Sequence, residues 1–171
     1  MEGSTMILNG VGTSLDVTRK HLKSRLRHWL GQSPRNSGKQ YLIAVGMETR
    51  ICQGDFVSLN EKGELVSLTE GLPFIGAVSG VGLSPQGHAT ATTKIGRLWE
   101  HISGLVPSTE KGAIVYADAK TQQLSLGRGI PIGLLAAIET FGGDLIGHIQ
   151  LEVGTPGKPI NTDLHERKMS R

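Results

Sequence analysis

Short apolar runs separated by glycine-bearing turns fill the chain from residue 41 to residue 153. The runs YLIAVGM, GDFVSLN, GAIVYAD and DLIGHIQLEV have the length of β-strands and carry the β-branched and aromatic side chains that strands favour. Turns recur at intervals of about 8–12 residues, which is typical of all-β barrels and sandwiches. We therefore expect a mainly β protein. One alternative stays open for the run IGLLAAIET, which also fits one or two turns of helix.

A helical period precedes this region. Four apolar residues share the i, i+4, i+7, i+8 spacing of one helical stripe: Leu22, Leu26, Trp29 and Leu30. Basic side chains crowd the other faces, and Gly31 followed by Pro34 is typical of a helix end. The pattern predicts an amphipathic basic helix at about residues 17–30, followed by a polar linker.

Two stretches repeat the same strand–turn–strand phrase. GDFVSLNEKGELVSLTEGLPFIG begins at Gly54, and GAIVYADAKTQQLSLGRGIPIG begins 58 residues later at Gly112. The identities at this shift are Gly54, Val57, Lys62, Ser67, Leu68, Gly71 and Pro73, and IGRL at 95–98 also resembles IGHI at 146–149. We interpret this as a duplication in which two β-units, 54–98 and 112–149, close around a shared core. The alternative is a general likeness among glycine-punctuated β sequences.

The predicted fold is thus a small β-barrel or sandwich built from two similar β-units, preceded by an arm with one amphipathic basic helix. The arm and linker take residues 1–40, and the β domain takes residues 41–153. Residues 154–171, GTPGKPINTDLHERKMSR, are polar and lack an apolar period, so we expect an extended C-terminal tail.

Charge is divided unevenly between these parts, although the whole chain has a net charge of only +3. Residues 1–40 contain seven Lys/Arg and two Asp/Glu, and residues 154–171 contain four and two. The β domain contains seven basic and eleven acidic residues. Such asymmetry favours appendages that meet an acidic partner.

Catalytic, cofactor and metal motifs are not recognisable in the chain. RNSGKQ has the wrong glycine spacing for a phosphate loop, and Gln40 stands where Ser or Thr is needed. The six histidines and the single Cys52 form no zinc pattern, and no serine sits in a nucleophile elbow. Turn chemistry explains Asp55 and Asp118 better than acid–base catalysis. We therefore expect no enzyme activity, no cofactor and no metal, and no run is long enough to span a membrane.

The β domain resembles the small β-barrel decoration, or cement, proteins of tailed-bacteriophage capsids. The resemblance lies in Gly54–Val57, in Ile75–Ala77, in Gly112–Tyr116 with Asp118, and in Gly147–Val153. It implies a barrel on the outer surface of the capsid, often a trimer, that stabilises the expanded head. It implies no catalytic residues. The basic region 1–40 departs from the family pattern and suggests an arm that grips the capsid.

We therefore expect a structural virion protein, made in the host bacterial cytoplasm, that binds the major capsid protein and bridges its subunits. We also expect a homo-oligomer, with a trimer favoured, and no direct contact with nucleic acid or membrane. The candidate capsid-binding residues are the apolar and basic residues of the predicted helix: Arg19, Lys20, Leu22, Lys23, Arg25, Leu26, Arg27 and Trp29.

Four alternatives remain open. The basic helix is also typical of a solvated surface helix or of a nucleic-acid-binding β-barrel, because Lys and Arg contact phosphates without reading bases. The chain also fits another virion part, such as a head-fibre base or a tail component. An enzyme whose site is assembled from residues far apart in sequence is the last alternative.

Overall fold

The computed structural model describes residues 25–30 and 35–154, and these residues are mainly β with no helix among them. The strands are β1 Arg35–Leu42, β2 Phe56–Leu59, β3 Leu65–Ser67, β4 Phe74–Leu83, β5 Ala89–Ile95, β6 Arg97–Glu100, β7 Ile114–Ala117, β8 Leu124–Ser125, β9 Ile130–Phe141 and β10 Asp144–Leu151. The prediction of a mainly β protein is confirmed. The ambiguous run IGLLAAIET lies within β9, between β7 and β10, and is a strand.

The strands form two five-stranded antiparallel sheets with the same internal order. The first sheet has the order β1-β5-β4-β2-β3, and the second has β6-β10-β9-β7-β8. Each position of the second sheet is therefore taken by the strand five places later in the chain. This correspondence is what a duplicated β-unit predicts, and it extends the sequence repeat to every strand.

The units begin and end at different residues from the predicted 54–98 and 112–149. The first unit runs from β1 to β5, and the second begins at β6, immediately after Gly96. The matched phrases IGRL and IGHI are neighbours within the second sheet, because Leu98 of β6 pairs with Ile149 of β10. The strand that corresponds to β10 is β5. In addition, β1 takes up residues 35–40, which the sequence pattern assigned to the arm.

The edges of each sheet approach each other through an equivalent bridge. The chain leaving β1 forms a parallel bridge from Ile43 to Leu65 of β3. The chain leaving β6 forms the corresponding parallel bridge from Ser103 to Ser125 of β8. In each unit the first and last strands of the sheet order are therefore brought together, which curls the sheet.

The main core lies between the two sheets. It combines Phe56, Phe74 and Ala77 of the first sheet with residues of the second sheet: Leu98, Val115, Ala117, Ile132, Leu135, Ile149 and Leu151. Neighbouring residues of the first sheet enter a second cluster, which contains Val57 and Val78 and is closed by Ile43 and Ile51. The strand β2 and the first half of β4 are thus buried on both faces, in agreement with their nearly continuous apolar residues.

The described part of the chain has no helix long and apolar enough to cross a membrane. The C-terminal end of this part returns to the body, since the amide of Gly154 donates to the carbonyl oxygen of Phe74 at 2.8 Å. The predicted arm residues 1–24 and tail residues 155–171 lie outside the described residues.

Candidate functional site

Residues 25–30, hereafter the strap, form an extended segment that crosses the junction of the two units. The amide of Arg25 donates to the carbonyl of Gln53 in the first unit at 2.9 Å. Trp29 forms an antiparallel bridge with Leu98 of β6, and the amide of Leu30 donates to the carbonyl of Arg97 at 2.9 Å. The strap therefore covers the outer edge of β6 and also holds the first unit.

The helix predicted for 17–30 is wrong at residues 25–30, and its part at 17–24 lies outside the described residues. The strap alternates with a period of two: Arg25, Arg27 and Trp29 turn toward the body, whereas Leu26 and His28 are exposed. Leu26 is 79% exposed, while Trp29 packs against the main core. The same residues also fit a helical period. The extended conformation is favoured because the edge of β6 offers backbone hydrogen bonds that the strap can make only as a strand.

Arg27 is the strap residue that joins the two units. Its side chain is only 6% exposed. Nε donates to the carbonyl of Gly54 at 2.8 Å, and the guanidinium carbon lies 3.9 Å from the ring centroid of Phe56. The remaining donors reach the second unit: Nη1 contacts Oε1 of Glu100 at 3.0 Å, and Nη2 contacts Oε1 of Gln122 at 3.3 Å. The buried charge of Arg27 is tolerated because its donors bond to Gly54 in the first unit and to Glu100 and Gln122 in the second.

Burial governs the titration of this ion pair. Burial lowers the pKa of the Arg27 guanidinium, and the charge of Glu100 opposes that shift. Burial likewise raises the pKa of the Glu100 carboxyl, and Arg27 opposes that shift in turn. For both groups the loss of water outweighs the attraction of the partner. The pair therefore fixes the relative position of the two units more than it adds net stability.

The side-chain amide of Gln122 bonds to both backbone groups of Phe56, as the backbone of a neighbouring strand would. Its Oε1 accepts from the amide of Phe56 at 2.7 Å, and its Nε2 donates to the carbonyl of Phe56 at 3.0 Å. Among the described residues it is the one non-glycine residue with positive φ, at 64°. The corresponding turn of the first unit has Gly63 at φ 79° and closes from Asn60 to Glu64, whereas the second closes from Asp118 to Gln123, one residue later.

Replacing Gln122 by alanine is expected to lower the free energy of unfolding by about 2 kcal/mol, because two buried backbone groups of Phe56 lose their partner. Replacement by glycine is expected to cost about 1 kcal/mol less than alanine, since glycine adopts positive φ without strain. Urea denaturation of both variants measures the difference. If the glycine variant is more stable than the wild type, the amide of Gln122 contributes nothing to the junction.

Arg25 and Asp55 form a second, more exposed pair beside the first. Arg25 Nε donates to Oδ1 of Asp55 at 2.8 Å, and Nη1 donates to the carbonyl of Thr121 at 3.0 Å. Oδ2 of Asp55 accepts from the amide of Cys52 at 2.9 Å. Asp55 therefore holds its own turn, as predicted, and also holds the strap. The side chain of Arg25 is 37% exposed, so this pair is worth little by itself.

The turn prediction for Asp118 is confirmed. Its Oδ1 accepts from the amides of Lys120 at 2.8 Å and Thr121 at 2.7 Å. These backbone hydrogen bonds hold the pKa of Asp118 below its usual value. Cys52 is buried at 5% exposure.

A cavity of about 1390 Å³ lies against the strap. Its walls are formed by the strap and by three segments of the body, 49–55, 99–103 and 121–124. The buried side chains of Ile102, Leu124 and Ile146 line its apolar part. Arg50 and His101 line it as exposed side chains, so the cavity opens to solvent.

The candidate capsid-binding residues that the structure describes do not share one exposed face. Arg19, Lys20, Leu22 and Lys23 lie outside the described residues. Leu26 faces solvent and Arg25 is half-exposed, but Arg27 and Trp29 pack into the body. Glu100 and Gln122, which complete the junction, carry no signal in the sequence, because they lie 73 and 95 residues from Arg27.

Within the part of the chain that the structure describes, no group of three or more His, Cys, Asp or Glu side chains is placed to hold a metal ion. No protein-family model, no curated protein and no solved structure matches this chain.

Proposed function

We propose that this protein is a structural protein of a tailed-phage virion that binds the outer surface of the head and bridges neighbouring major capsid subunits. In this proposal the two β-units together build a small barrel or sandwich, the protein forms a homo-oligomer with a trimer favoured, and it joins the head after synthesis in the host cytoplasm. The function is proposed from the resemblance of the β domain to capsid decoration proteins. The two similar β-units support it, because a protein with two similar contact sites suits a shell of repeated subunits.

The observation that carries the proposal is an exposed apolar side chain at the end of the long hairpin of each unit. Leu83 is the last residue of β4 and is 72% exposed, and Phe141 is the last residue of β9 and is 61% exposed. Leu83 pairs with Ala89 and Phe141 pairs with Asp144, the final pair of each hairpin.

Two apolar contact points, one at the hairpin end of each unit, favour a partner that itself presents repeated sites. Each point buries one large apolar side chain, and a protein that makes both contacts at once gains affinity through effective concentration. A capsid shell offers such repeated sites across its subunit boundaries. Arg27 of the strap is already paired within the chain, so it is not free to meet the capsid.

The direct test is sedimentation with expanded, undecorated heads assembled from the major capsid protein of the genome that encodes this chain. The wild type is expected to sediment with the heads at saturating, regular stoichiometry. If the protein stays in the supernatant and instead binds duplex DNA with steep salt dependence, the proposal fails in favour of a nucleic-acid-binding function.

Leu83→Asp and Phe141→Asp are each expected to weaken binding to heads about tenfold, because each removes one apolar contact of a two-point attachment. Val45→Asp is the matched control, since Val45 is 91% exposed and lies outside both hairpins. All three changes are on the surface, so unfolding midpoints are expected to stay close to the wild type. Equal binding by all variants would remove the hairpin ends from the attachment.

A truncation that tests the arm has to stop at residue 24. The strap and β1 belong to the folded body, so deletion of residues 1–40 would remove part of the core along with the arm. Loss of residues 1–24 alone is expected to weaken binding to heads without lowering the unfolding midpoint. Unchanged affinity would show that residues 1–24 do not hold the capsid.

A further inference from the structure

The cavity beside the strap has the size and openness of a site for a peptide segment. Its volume of about 1390 Å³ exceeds the ~300–1,000 Å³ of ordinary small-molecule pockets. Exposed side chains from the strap and from the segments 49–55 and 99–103 line it, so an occupant can enter from solvent along its length.

The charges that line this cavity are not balanced. Its carboxylates are Asp55 and Glu100, and both are already bonded to Arg25 and Arg27. Arg50 lines the same cavity and is exposed, and its guanidinium makes no hydrogen bond or ion pair with any residue that the structure describes. The exposed imidazoles of His28 and His101 also line the cavity. The cavity is therefore cationic on a β domain with eleven acidic and seven basic residues.

Apolar and aromatic side chains stand beside these cations. Leu26 lines the cavity with 79% of its surface exposed, and Trp99 lines it next to His28, with ring centroids 5.8 Å apart. Phe141 meets the other side of this aromatic group, with its centroid 5.3 Å from that of Trp99. Tryptophan and arginine are among the residue types that dominate the energy of protein–protein contacts, and the exposed leucine adds apolar area beside them.

Charge argues against the rest of this chain as the occupant. The segment that enters the strap, residues 17–24, contains Arg19, Lys20 and Lys23 and no carboxylate. Residues 155–171 contain four Lys/Arg and two Asp/Glu. Both segments would bring positive charge to a cationic site, whereas an acidic segment of another protein complements it. Nucleic acid meets the same cations but is repelled by the acidic β domain.

We propose that this cavity binds a short acidic segment of a partner protein, whose carboxylates meet Arg50 and His101 and whose apolar side chain packs against Leu26 and Trp99. The proposal rests on the proposed function only for the identity of that partner, which would then be the major capsid protein. The binding itself does not depend on it.

The test is fluorescence anisotropy of the full chain with a labelled heptapeptide, Glu-Asp-Leu-Glu-Glu-Leu-Asp, at low ionic strength. The expected result is saturable binding that weakens with added salt, with no binding of the same peptide carrying lysine at its acidic positions. Absence of binding at millimolar peptide overturns the proposal, as does tighter binding of a DNA duplex of equal charge.

Arg50→Glu and Lys62→Glu form a matched pair, because both change the net charge equally and both residues are exposed, but only Arg50 lines the cavity. Arg50→Glu is expected to weaken peptide binding about tenfold, and Lys62→Glu less than twofold. Equal effects would mean that the peptide responds to overall charge and would overturn the proposal.

Two further outcomes identify other occupants. If the peptide binds only after residues 1–24 are removed, those residues occupy the cavity and the proposal fails. If Arg50→Glu dissociates an oligomer in analytical ultracentrifugation and the peptide does not bind, the occupant is a second copy and the proposal also fails. Loss of peptide binding with intact sedimentation on heads rejects this inference alone, whereas the reverse result rejects only the proposed function.

Discussion

Replacing Arg27 by methionine is expected to lower the free energy of unfolding by about 3–5 kcal/mol, which is the usual cost of breaking a buried ion pair from one side. The change leaves the Glu100 carboxylate at the junction without its charged partner, and it also removes the donors to Gly54 and Gln122. Methionine keeps much of the length and volume of the side chain, so the loss is mainly electrostatic. Urea denaturation followed by tryptophan fluorescence measures it.

The double variant Arg27→Met with Glu100→Leu separates charge from packing. Because burial moves the pKa of both groups toward their neutral forms, the pair adds little net stability. Removing both charges is therefore expected to recover about half or more of the loss caused by Arg27→Met. If the double variant is no more stable than Arg27→Met alone, the unpaired carboxylate is not the cause of the destabilisation.

Acidification supplies an independent check of the same pair. The folded pKa of Glu100 is raised above its unfolded value, so the folded state binds this proton more tightly than the unfolded state does. The contribution of Glu100 to stability is therefore most favourable below the unfolded pKa, about 4.3, and it declines as the pH rises through the folded pKa. The free energy of unfolding of the wild type, relative to that of Glu100→Gln, is therefore expected to fall as the pH rises above the unfolded pKa.

The sequence predicts the β-units because their signals are local. Glycine-bearing turns, alternating β-branched residues and a phrase repeated at Gly54 and Gly112 all lie within about 25 residues of one another in each unit. Gly63 shows the same locality, because the turn that it closes requires positive φ and the sequence places glycine there. The second unit replaces this glycine position with Gln122, and no local rule anticipates that exchange.

The strap could not be predicted because its conformation depends on partners far away in the chain. The spacing of Leu26 and Trp29 fits a helical stripe, and the spacing of Arg27 and Trp29 fits a strand equally well. The strap is extended because Trp29 pairs with Leu98 at the edge of β6, about 70 residues later in the chain. Burial of Arg27 likewise depends on Glu100 and Gln122. A basic residue in an amphipathic pattern is usually exposed, so the sequence predicted an exposed cationic surface. In the structure, Arg27 is instead buried and bonds to both units.

Gly54→Ala and Gly112→Ala are expected to differ by about 2 kcal/mol in their effect on stability, although the two glycines occupy equivalent positions of the repeat. Both have φ of 91°, so alanine carries the same backbone strain of roughly 1–2 kcal/mol at each. At Gly112 a Cβ atom would meet no other atom within 4 Å. At Gly54 it would clash with the backbone carbonyl of Arg25 in the strap. The total loss at Gly54 is therefore expected to be about 3–4 kcal/mol, and its excess over the loss at Gly112 measures how firmly the strap is held.

Hydrogen exchange distinguishes displacement of the strap from general destabilisation. The amide of Trp99 donates to the carbonyl of His28 at 2.9 Å, so its protection depends on a docked strap. In Gly54→Ala this amide is expected to lose protection while amides between β4 and β5 keep theirs. In Gly112→Ala the Trp99 amide is expected to stay protected. If the two variants lose equal stability and the Trp99 amide already exchanges freely in the wild type, the strap is only loosely attached, and the junction between the units is held by the β-sheets and their shared core without it.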